Sequence, residues 1–314
     1  MLSSKASVHS KKPMKNNSQT ESNGDTQAPA LPPHDPGYFY DSRIEAGQHG
    51  EIRLSPVIQA ACKCGGLLPY QTMGPDGEPI WCVCRSYRMR MSQIDRLISN
   101  AQIPVPFRYK FLDDFDEMSG GQPVPDIVRL KGMLSSTADS IMAGNAPKGF
   151  FLWGTPGTGK TYFSYIALNY LMFRTHRAGR FASISSQFYQ RIRDTFNEES
   201  VKHGQASTLI EALSNVPYLV LDDVGVQRNT DWELEMLYNL IDARYANKRL
   251  TIITSNESAH DIKNLASGRL YSRFVEMCHL VRLNSEDYRE RGKSEVEIRI
   301  PKIDKPPGRP YGTR

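Results

Sequence analysis

The stretch Gly154-Thr155-Pro156-Gly157-Thr158-Gly159-Lys160-Thr161 decides the fold of this chain. It follows an apolar run at residues 150–153 and precedes a long helical pattern. The spacing G-x-x-x-x-G-K-T is typical of a phosphate-binding loop, because its glycines let backbone N–H groups curl around a phosphate at a helix N-terminus. Lys160 is then expected to reach the β- and γ-phosphates, and the Thr161 hydroxyl to bind Mg²⁺. A plain Gly-rich turn, the alternative, explains neither Lys160 nor the flanking patterns.

An acidic pair follows a second apolar run, residues 217–221, which predicts a buried strand. Asp222 and Asp223 come directly after it, and ligand sites in open α/β sheets lie at the carboxyl ends of strands. We expect Asp222 to hold Mg²⁺, directly or through water, and Asp223 to orient the attacking water and partly deprotonate it. An acidic turn is the alternative; its position about sixty residues after a phosphate loop argues against that reading.

Two further polar groups complete the predicted site. A strand at residues 250–254 leads into Thr-Ser-Asn, and Asn256 is placed to hydrogen-bond the attacking water or the γ-phosphate. Arg269 and Arg273 lie four residues apart and so share one helical face. A guanidinium from a neighbouring subunit can stabilise the charge on the transferred phosphoryl group, as an arginine finger does. Two arginines in surface salt bridges are the alternative.

Composition sets broad limits on the function. The chain has 314 residues, of which 39% are hydrophobic and 23% charged, as expected of a globular protein in water. No apolar run approaches the roughly 18–20 residues that a membrane helix needs, and the N-terminus lacks a signal peptide, so we expect no membrane partner and a cytoplasmic location. A net charge of +5 and an isoelectric point near 8.8 are compatible with an anionic partner and do not require one.

Four of the five cysteines form two Cys-x-Cys pairs: Cys62 with Cys64, and Cys82 with Cys84. Four thiolates can bind Zn²⁺ tetrahedrally and so stabilise a segment with few core residues. The usual structural pair is Cys-x-x-Cys, so free thiols and redox-sensitive disulfides remain alternatives.

The rest of the chain reads as strands that alternate with helices, which predicts a parallel sheet covered on both faces. A basic helical pattern at residues 85–98 has Met91, Ile94, Leu97 and Ile98 on one face; its arginines are either phosphate contacts or a solvated face. An aromatic connector follows, formed by Phe107, Tyr109, Phe111, Leu112 and Phe115, and it is suited to covering a nucleotide base or to joining two modules. We expect strands at residues 149–153, 181–184, 218–221, 250–254 and 278–283, and helices near residues 126–143, 187–198, 208–213, 232–245 and 268–274.

The predicted organisation is a disordered arm, a cysteine module, a linker, an ATPase domain and a basic tail. The arm carries lysines that either contact nucleic acid or are simply solvated. The corresponding ranges are 1–45, 46–102, 103–125, 126–292 and 293–314.

Together these motifs resemble the AAA+ core of the bacterial replicative helicase loaders, the DnaC/DnaI-like branch, and the related IstB-like transposition ATPases. The shared patterns are the phosphate loop, Leu-Asp-Asp-x-Gly, Thr-Ser-Asn and Arg-x-x-x-Arg-Phe. The resemblance implies an α/β fold: an AAA+ P-loop NTPase core with a parallel five-stranded sheet, preceded by a small zinc-binding module. The nucleotide-binding residues that we expect are Gly154, Thr155, Pro156, Gly157, Thr158, Gly159, Lys160, Thr161 and Tyr162.

The resemblance also implies partners. ATP is expected to drive assembly of neighbouring subunits, with Arg273 completing the next subunit's site, and the cysteine module to contact a replicative DNA helicase. Single-stranded DNA is expected at residues 186–202, where stacking and phosphate contacts come from Gln187, Tyr189, Arg191 and Arg193. The leading hypothesis is thus an ATP-hydrolysing helicase loader. A transposition-associated ATPase acting on duplex DNA with a transposase, and an adaptor that binds ATP with little turnover, are the alternatives.

Overall fold

A computed structural model of the chain describes residues 44–46, 52–119, 122–184, 188–190, 206–225, 230–258 and 260–284. Before the phosphate loop, these residues form short strands paired as antiparallel hairpins, together with helices. The strands are β1 (Ile44–Ala46), β2 (Ile52–Leu54), β3 (Gln71–Met73), β4 (Pro79–Trp81), β5 (Met118–Ser119) and β6 (Gln122–Pro123). The helices are α1 (Pro56–Ala61), α2 (Arg85–Asn100) and α3 (Pro125–Met142).

A five-stranded parallel sheet forms the centre of the fold, as predicted, with strand order β11-β7-β10-β9-β8. Its strands are β7 (Gly149–Trp153), β8 (Gly179–Ser183), β9 (Tyr218–Asp222), β10 (Leu250–Ser255) and β11 (Cys278–Arg282). The helices of this part are α4 (Lys160–Thr175), α5 (Ala206–Asn215), α6 (Asp231–Ala246) and α7 (Arg269–Met277). A 3-10 segment, Asp261–Gly268, precedes α7.

The three central strands β7, β10 and β9 are buried on both faces of the sheet, which explains their largely apolar runs. Side chains of successive strand residues point to opposite faces, so Phe150 and Ile252 join one buried cluster with α4, while Phe151 and Ile253 join another with α6 and α7. Every residue of β9 and β10 is buried. The two clusters hold the strand ends that carry the polar residues in fixed positions.

The cysteine-rich segment packs directly on the ATPase core. Helix α2 contacts α4, and its buried residues Ile94 and Ile98 belong to the same cluster as the residues of α4. Just beyond α2, the Ala101 carbonyl accepts a 2.7 Å hydrogen bond from the Phe181 N–H of β8. Arg180 donates to the Asn100 carbonyl at 3.0 Å. The domain boundaries remain a prediction, while the structure shows one continuous buried cluster across them.

Most predicted elements are observed with shifts of a few residues at their ends. The last two residues of the arm predicted at residues 1–45 belong to β1, where Ile44 is buried and pairs with Leu54. Most of the helix predicted at residues 187–198 lies outside the described residues, as does the predicted tail. Within the part of the chain that the structure describes, no helix has the length and apolar character needed to span a membrane.

Candidate functional site

The phosphate loop connects β7 to α4, which begins at Lys160. Gly157 and Gly159 have φ values of +89° and +86°, a region that side chains with a Cβ rarely adopt. At Gly154 a Cβ would collide with the Leu283 carbonyl, because the chain after β11 runs alongside the loop and the Leu283 N–H bonds to the Trp153 carbonyl. These glycines therefore allow the loop its tight path.

Lys160 lies inside the loop and is only 6% exposed. Its ammonium donates to the carbonyls of Gly154 at 2.9 Å and Thr155 at 2.8 Å. The Thr158 hydroxyl donates to the same Thr155 carbonyl at 3.0 Å, which closes the loop on itself. The loop thus holds a positive charge at the start of a helix, where backbone N–H groups also favour an anion.

Asp222, the last residue of β9, is buried close to Thr161. Burial raises the pKa of its carboxyl, while hydrogen bonds from the hydroxyls of Thr254 and Thr161 act in the opposite direction. The Thr254 hydroxyl donates to Asp222 Oδ1 at 2.6 Å. The structure therefore brings together the two residues predicted to hold Mg²⁺, and a hydroxyl and a carboxylate are oxygen ligands of the kind that Mg²⁺ prefers.

Asp223 turns out of the strand with a φ of +60°. Its N–H donates to Thr254 Oγ1 at 2.9 Å, and its carboxylate accepts a 3.1 Å hydrogen bond from the Asn256 side-chain amide. The predicted water-activating carboxylate and the predicted polar residue of β10 are therefore direct neighbours. A half-buried carboxylate that lines the cavity beside an amide can receive and orient a water molecule.

These groups face one cavity of about 670 Å³, a size common for small-molecule sites. Its polar lining residues include Lys160, Thr161, Asp222, Asp223 and Asn256. Its lining also contains Pro106 and the aromatic residues Phe107, Tyr162 and Tyr165. Of the predicted loop residues, Pro156, Gly157 and Gly159 also line it. The charged and polar groups suit the phosphates of a nucleotide, and the aromatic residues suit its base.

The aromatic connector both clasps the core and lines the cavity, so the two alternatives for it are compatible. Phe107 stacks on Tyr165 with ring centroids 4.8 Å apart and planes at 12°. The buried Asn169 amide donates to the carbonyls of Phe107 at 2.9 Å and Lys110 at 3.1 Å. The Tyr162 hydroxyl donates to the Asp114 carbonyl at 3.1 Å.

Several cavity residues were not predicted from the sequence: Pro106, Lys110, Tyr165, Ser183 and Thr254. Tyr165 lies within the apolar pattern of α4, where nothing distinguishes it from a core residue. Thr254 belongs to the Thr-Ser-Asn triplet, and its place two residues before Asn256 is a signal that sequence reasoning had available.

Arg269 and Arg273 lie one turn apart on α7 and both contact α6 instead of lining the cavity. Arg273 pairs with Asp242 of α6 at 2.8 Å, and its guanidinium lies 4.3 Å from the centroid of the Tyr245 ring. Arg269 lies over Tyr238 at 4.5 Å. The surface salt bridge considered as an alternative is therefore present for Arg273, and neither arginine lines this subunit's own cavity.

The predicted DNA contacts receive one correction. Tyr189 is 4% exposed and packs against Phe188 in the buried cluster that includes α6 and α7. Its ring is therefore not available to stack on a base in this conformation. Gln187, Arg191 and Arg193 lie outside the described residues.

The four paired cysteines converge, with their sulfur atoms within 4.8 Å of one another. Individual Sγ–Sγ distances are 3.7 Å for Cys62–Cys64, 3.4 Å for Cys64–Cys84 and 4.0 Å for Cys62–Cys82. A tetrahedral zinc site with Zn–S bonds of about 2.3 Å places its sulfurs about 3.8 Å apart. The cysteines are not joined as disulfides. The Cys-x-Cys spacing therefore does not prevent four sulfurs from meeting at one point.

The pKa values of Cys82 and Cys84 are shifted in opposite directions. Burial raises the pKa of Cys84 to about 12. Burial also acts to raise the pKa of Cys82, but backbone N–H groups, first that of Cys84, outweigh it and lower the value to about 6. Arg88 of α2, which sequence reasoning did not single out, hydrogen-bonds Cys84 and Cys62. A backbone N–H and a guanidinium beside the sulfurs favour thiolate, the form that binds metal.

Comparison with known proteins gives matches along most of the ATPase part. The family described as IstB-like ATP binding protein matches residues 139–296. The replicative helicase loader DnaC of Escherichia coli strain K12 is 30% identical over 145 residues, 45% of this chain and 56% of DnaC. Phage-like element PBSX protein XkdC of Bacillus subtilis strain 168 is 25% identical over 219 residues, 68% of this chain and 76% of XkdC. The chain thus spans a little over half the length of DnaC.

A solved structure supports the same fold. The crystal structure of DnaI superimposes with a TM-score of 0.50 at 18% identity, covering 63% of this chain and 100% of that chain. At this identity the likeness concerns the fold alone.

Replacing Lys160 tests the loop. We expect Lys160→Ala to weaken binding of a fluorescent ATP analogue about ten- to hundredfold, because hydrogen bonds to charged groups contribute about 1.5–3 kcal/mol. The thermal unfolding midpoint, followed by circular dichroism, should stay near that of the wild type. Lys148→Ala is the control, because this exposed lysine lies before β7, outside the cavity lining. Wild-type affinity in Lys160→Ala would contradict the assignment of the loop.

Proposed function

Because the chain belongs to the family of IstB-like ATP-binding proteins, we propose that it is an ATPase that helps to load a replicative DNA helicase onto single-stranded DNA. The ATPase part rests on the geometry of one cavity. The helicase part rests on the similarity to DnaC, which is named a replicative helicase loader.

The single observation that carries the ATPase proposal is the convergence of Lys160, Thr161, Asp222, Asp223 and Asn256 on one cavity with an aromatic wall. Hydrolysis forms a bond between a water oxygen and the γ-phosphorus and breaks the bond from that phosphorus to the bridging oxygen, giving ADP and phosphate. Lys160 and the loop N–H groups bind the β- and γ-phosphates. The Asp223 carboxylate accepts a proton from the attacking water and returns it to solvent, and the Asn256 amide helps to orient that water.

Thr161 and Asp222 would hold Mg²⁺, which neutralises phosphate charge when bound. Their oxygens suit this ion, and their neighbouring positions at the carboxyl end of β9 and the start of α4 support the assignment.

We propose that the ATPase acts as a homo-oligomer in which Arg273 reaches the site of the next subunit. Arg273 lies outside its own cavity, so a role in hydrolysis requires a second subunit. Its partner Asp242 has a half-exposed side chain, and an ion pair open to solvent is easily exchanged for a phosphate. The surface of α7 that carries Arg269 and Arg273 is then part of the interface between subunits.

We propose a second candidate function from the match to the IstB-like ATP binding protein family. In that case the chain is a transposition-associated ATPase that assembles on duplex DNA and recruits a transposase. Both candidates use the same nucleotide site, so the partner and the form of DNA distinguish them.

A binding experiment tests the helicase proposal. We expect the purified protein, mixed with the hexameric replicative helicase of the same organism and ATP, to elute as a larger complex in size-exclusion chromatography with light scattering. Lys160→Ala is the matched control, and it should form less of this complex because it retains little ATP. No complex with a hexameric helicase would contradict the proposal, and ATP-dependent filaments on duplex DNA would favour the transposition ATPase.

Phosphate release by the same samples separates an ATPase from an adaptor. We expect wild-type turnover, measured with and without single-stranded DNA, to exceed that of Asp223→Asn. Equal and negligible rates for both proteins in both conditions would support an adaptor that binds ATP with little hydrolysis.

We also propose that Cys62, Cys64, Cys82 and Cys84 bind a structural Zn²⁺. The supporting observations are the four converging sulfurs and the position of the pairs, directly after α1 and directly before α2. A metal at this point joins α1, the β3–β4 hairpin and α2, and so stabilises a segment with little apolar core of its own.

Metal analysis tests this proposal. Wild-type protein should contain about one zinc ion per chain, and Cys84→Ser should lose most of it and unfold at lower temperature, because three thiolates bind Zn²⁺ more weakly than four. Cys278→Ser is the control, because this fifth cysteine lies in the buried cluster that includes α6 and α7, away from the other four. The Cys278→Ser protein should retain its zinc. A folded wild-type protein with no zinc and four freely reactive thiols would exclude the site.

A further inference from the structure

One residue of β10, Thr254, is bonded to three consecutive residues at the end of β9. Its hydroxyl donates to Asp222 Oδ1 at 2.6 Å and accepts from the Asp223 N–H at 2.9 Å. Its carbonyl accepts from the Val224 N–H at 2.8 Å. The last residue pair of the β9–β10 ladder is Ile253 with Leu221, so these bonds extend the pairing beyond the ladder into the acidic turn.

The position is buried, so these bonds are costly to lose. Thr254 is 2% exposed and Asp222 is 8% exposed, so water cannot readily replace a lost partner of either group. The hydroxyl has one hydrogen, and donating it to Asp222 leaves the oxygen lone pairs for the Asp223 N–H. A single side chain thus sets the orientation of one carboxylate and the backbone path of the next.

The second effect matters because Asp223 has a φ of +60°, which is uncommon for a residue with a Cβ. Such a conformation persists when surrounding bonds hold it. Two hydrogen bonds to Thr254 supply that restraint, one from the Asp223 N–H and one from the Val224 N–H, which lie on the two sides of the Asp223 Cα. They leave the Asp223 carboxylate facing the cavity beside Asn256.

We propose that Thr254 is a positioning residue of the nucleotide site, whose hydroxyl holds Asp222 and Asp223 in the arrangement needed for Mg²⁺-dependent nucleotide binding and hydrolysis. Asp222 is one of the two residues assigned to Mg²⁺, and Asp223 is the residue assigned to the attacking water. Thr254 acts through these two carboxylates and not on the nucleotide or the water itself. This inference rests on the proposed ATPase function and adds to it a residue that orients both carboxylates.

Two substitutions separate the hydroxyl from the bulk of the side chain. Thr254→Val keeps the shape and removes both hydroxyl bonds, whereas Thr254→Ser keeps the hydroxyl. Residues that orient metal ligands typically change affinity or activity about ten- to hundredfold when replaced. We therefore expect Thr254→Val to lower kcat by about ten- to hundredfold and to raise the Mg²⁺ concentration for half-maximal rate about tenfold, with Thr254→Ser within about threefold of the wild type.

Equilibrium binding gives the readout that does not depend on turnover. Affinity for a fluorescent ATP analogue is measured with Mg²⁺ and with EDTA. We expect wild type and Thr254→Ser to bind more tightly with Mg²⁺, and Thr254→Val to lose most of that gain while keeping its affinity in EDTA. Unchanged EDTA affinity also shows that the loop is folded. If Thr254→Val does not fold, Thr254→Ala, which removes the hydroxyl and adds no bulk, is measured in the same way.

The outcomes are distinct. A Thr254→Val protein with wild-type kcat and wild-type Mg²⁺ response would overturn the proposal, and so would equal losses in Thr254→Val and Thr254→Ser, which would indicate packing. A wild-type protein whose nucleotide affinity does not respond to Mg²⁺ would overturn it too. If the wild type binds nucleotide with Mg²⁺ but releases no phosphate, the proposed ATPase function fails while the binding measurements still decide the role of Thr254.

Discussion

The pairing of β10 with β7 on one side and β9 on the other is the constraint on which the site depends. All three strands run parallel, so their carboxyl ends lie at the same edge of the sheet. β7 delivers the phosphate loop, β9 delivers Asp222 and Asp223, and β10 delivers Thr254 and Asn256 between them. A shift of one residue in either pairing would turn these side chains to the opposite face. The buried clusters on both faces of the sheet hold that register.

Helix α4 links this edge to the amino-terminal part of the chain. Its first residue is Lys160, its middle carries Asn169, which holds the aromatic connector, and its surface packs against α2 of the cysteine-rich segment. A metal at the four cysteines would fix the start of α2. The cysteine cluster, the connector and the nucleotide cavity are therefore joined by packed elements.

The sequence predicted the parts of this protein that depend on local pattern. The phosphate loop, the five strands and the acidic pair were readable because glycine spacing and apolar runs have a direct structural cause. Thr254 and Tyr165 were not predicted, because their roles arise only when β10 meets β9 and when α4 meets the connector. The Cys-x-Cys spacing differs from the usual Cys-x-x-Cys pair and so left free thiols and disulfides as alternatives. In the fold, the β3–β4 hairpin brings both pairs to one point. Tyr189 was misjudged because an aromatic residue beside arginines can equally face the core.

We propose that a second subunit completes the nucleotide site through its Arg273. Mixing two inactive proteins tests this claim most directly: Lys160→Ala keeps Arg273 but binds little ATP, and Arg273→Ala binds ATP but lacks the guanidinium. Each alone should lose at least about a hundredfold in phosphate release, since such arginines contribute roughly 10³–10⁵ in rate, and their mixture should recover a clear fraction of wild-type turnover. Arg129→Ala, at an exposed arginine of α3 outside the cavity lining and outside α7, serves as the control and should keep wild-type turnover. A mixture no more active than its two components, or an Arg273→Ala protein with wild-type turnover, would contradict the account.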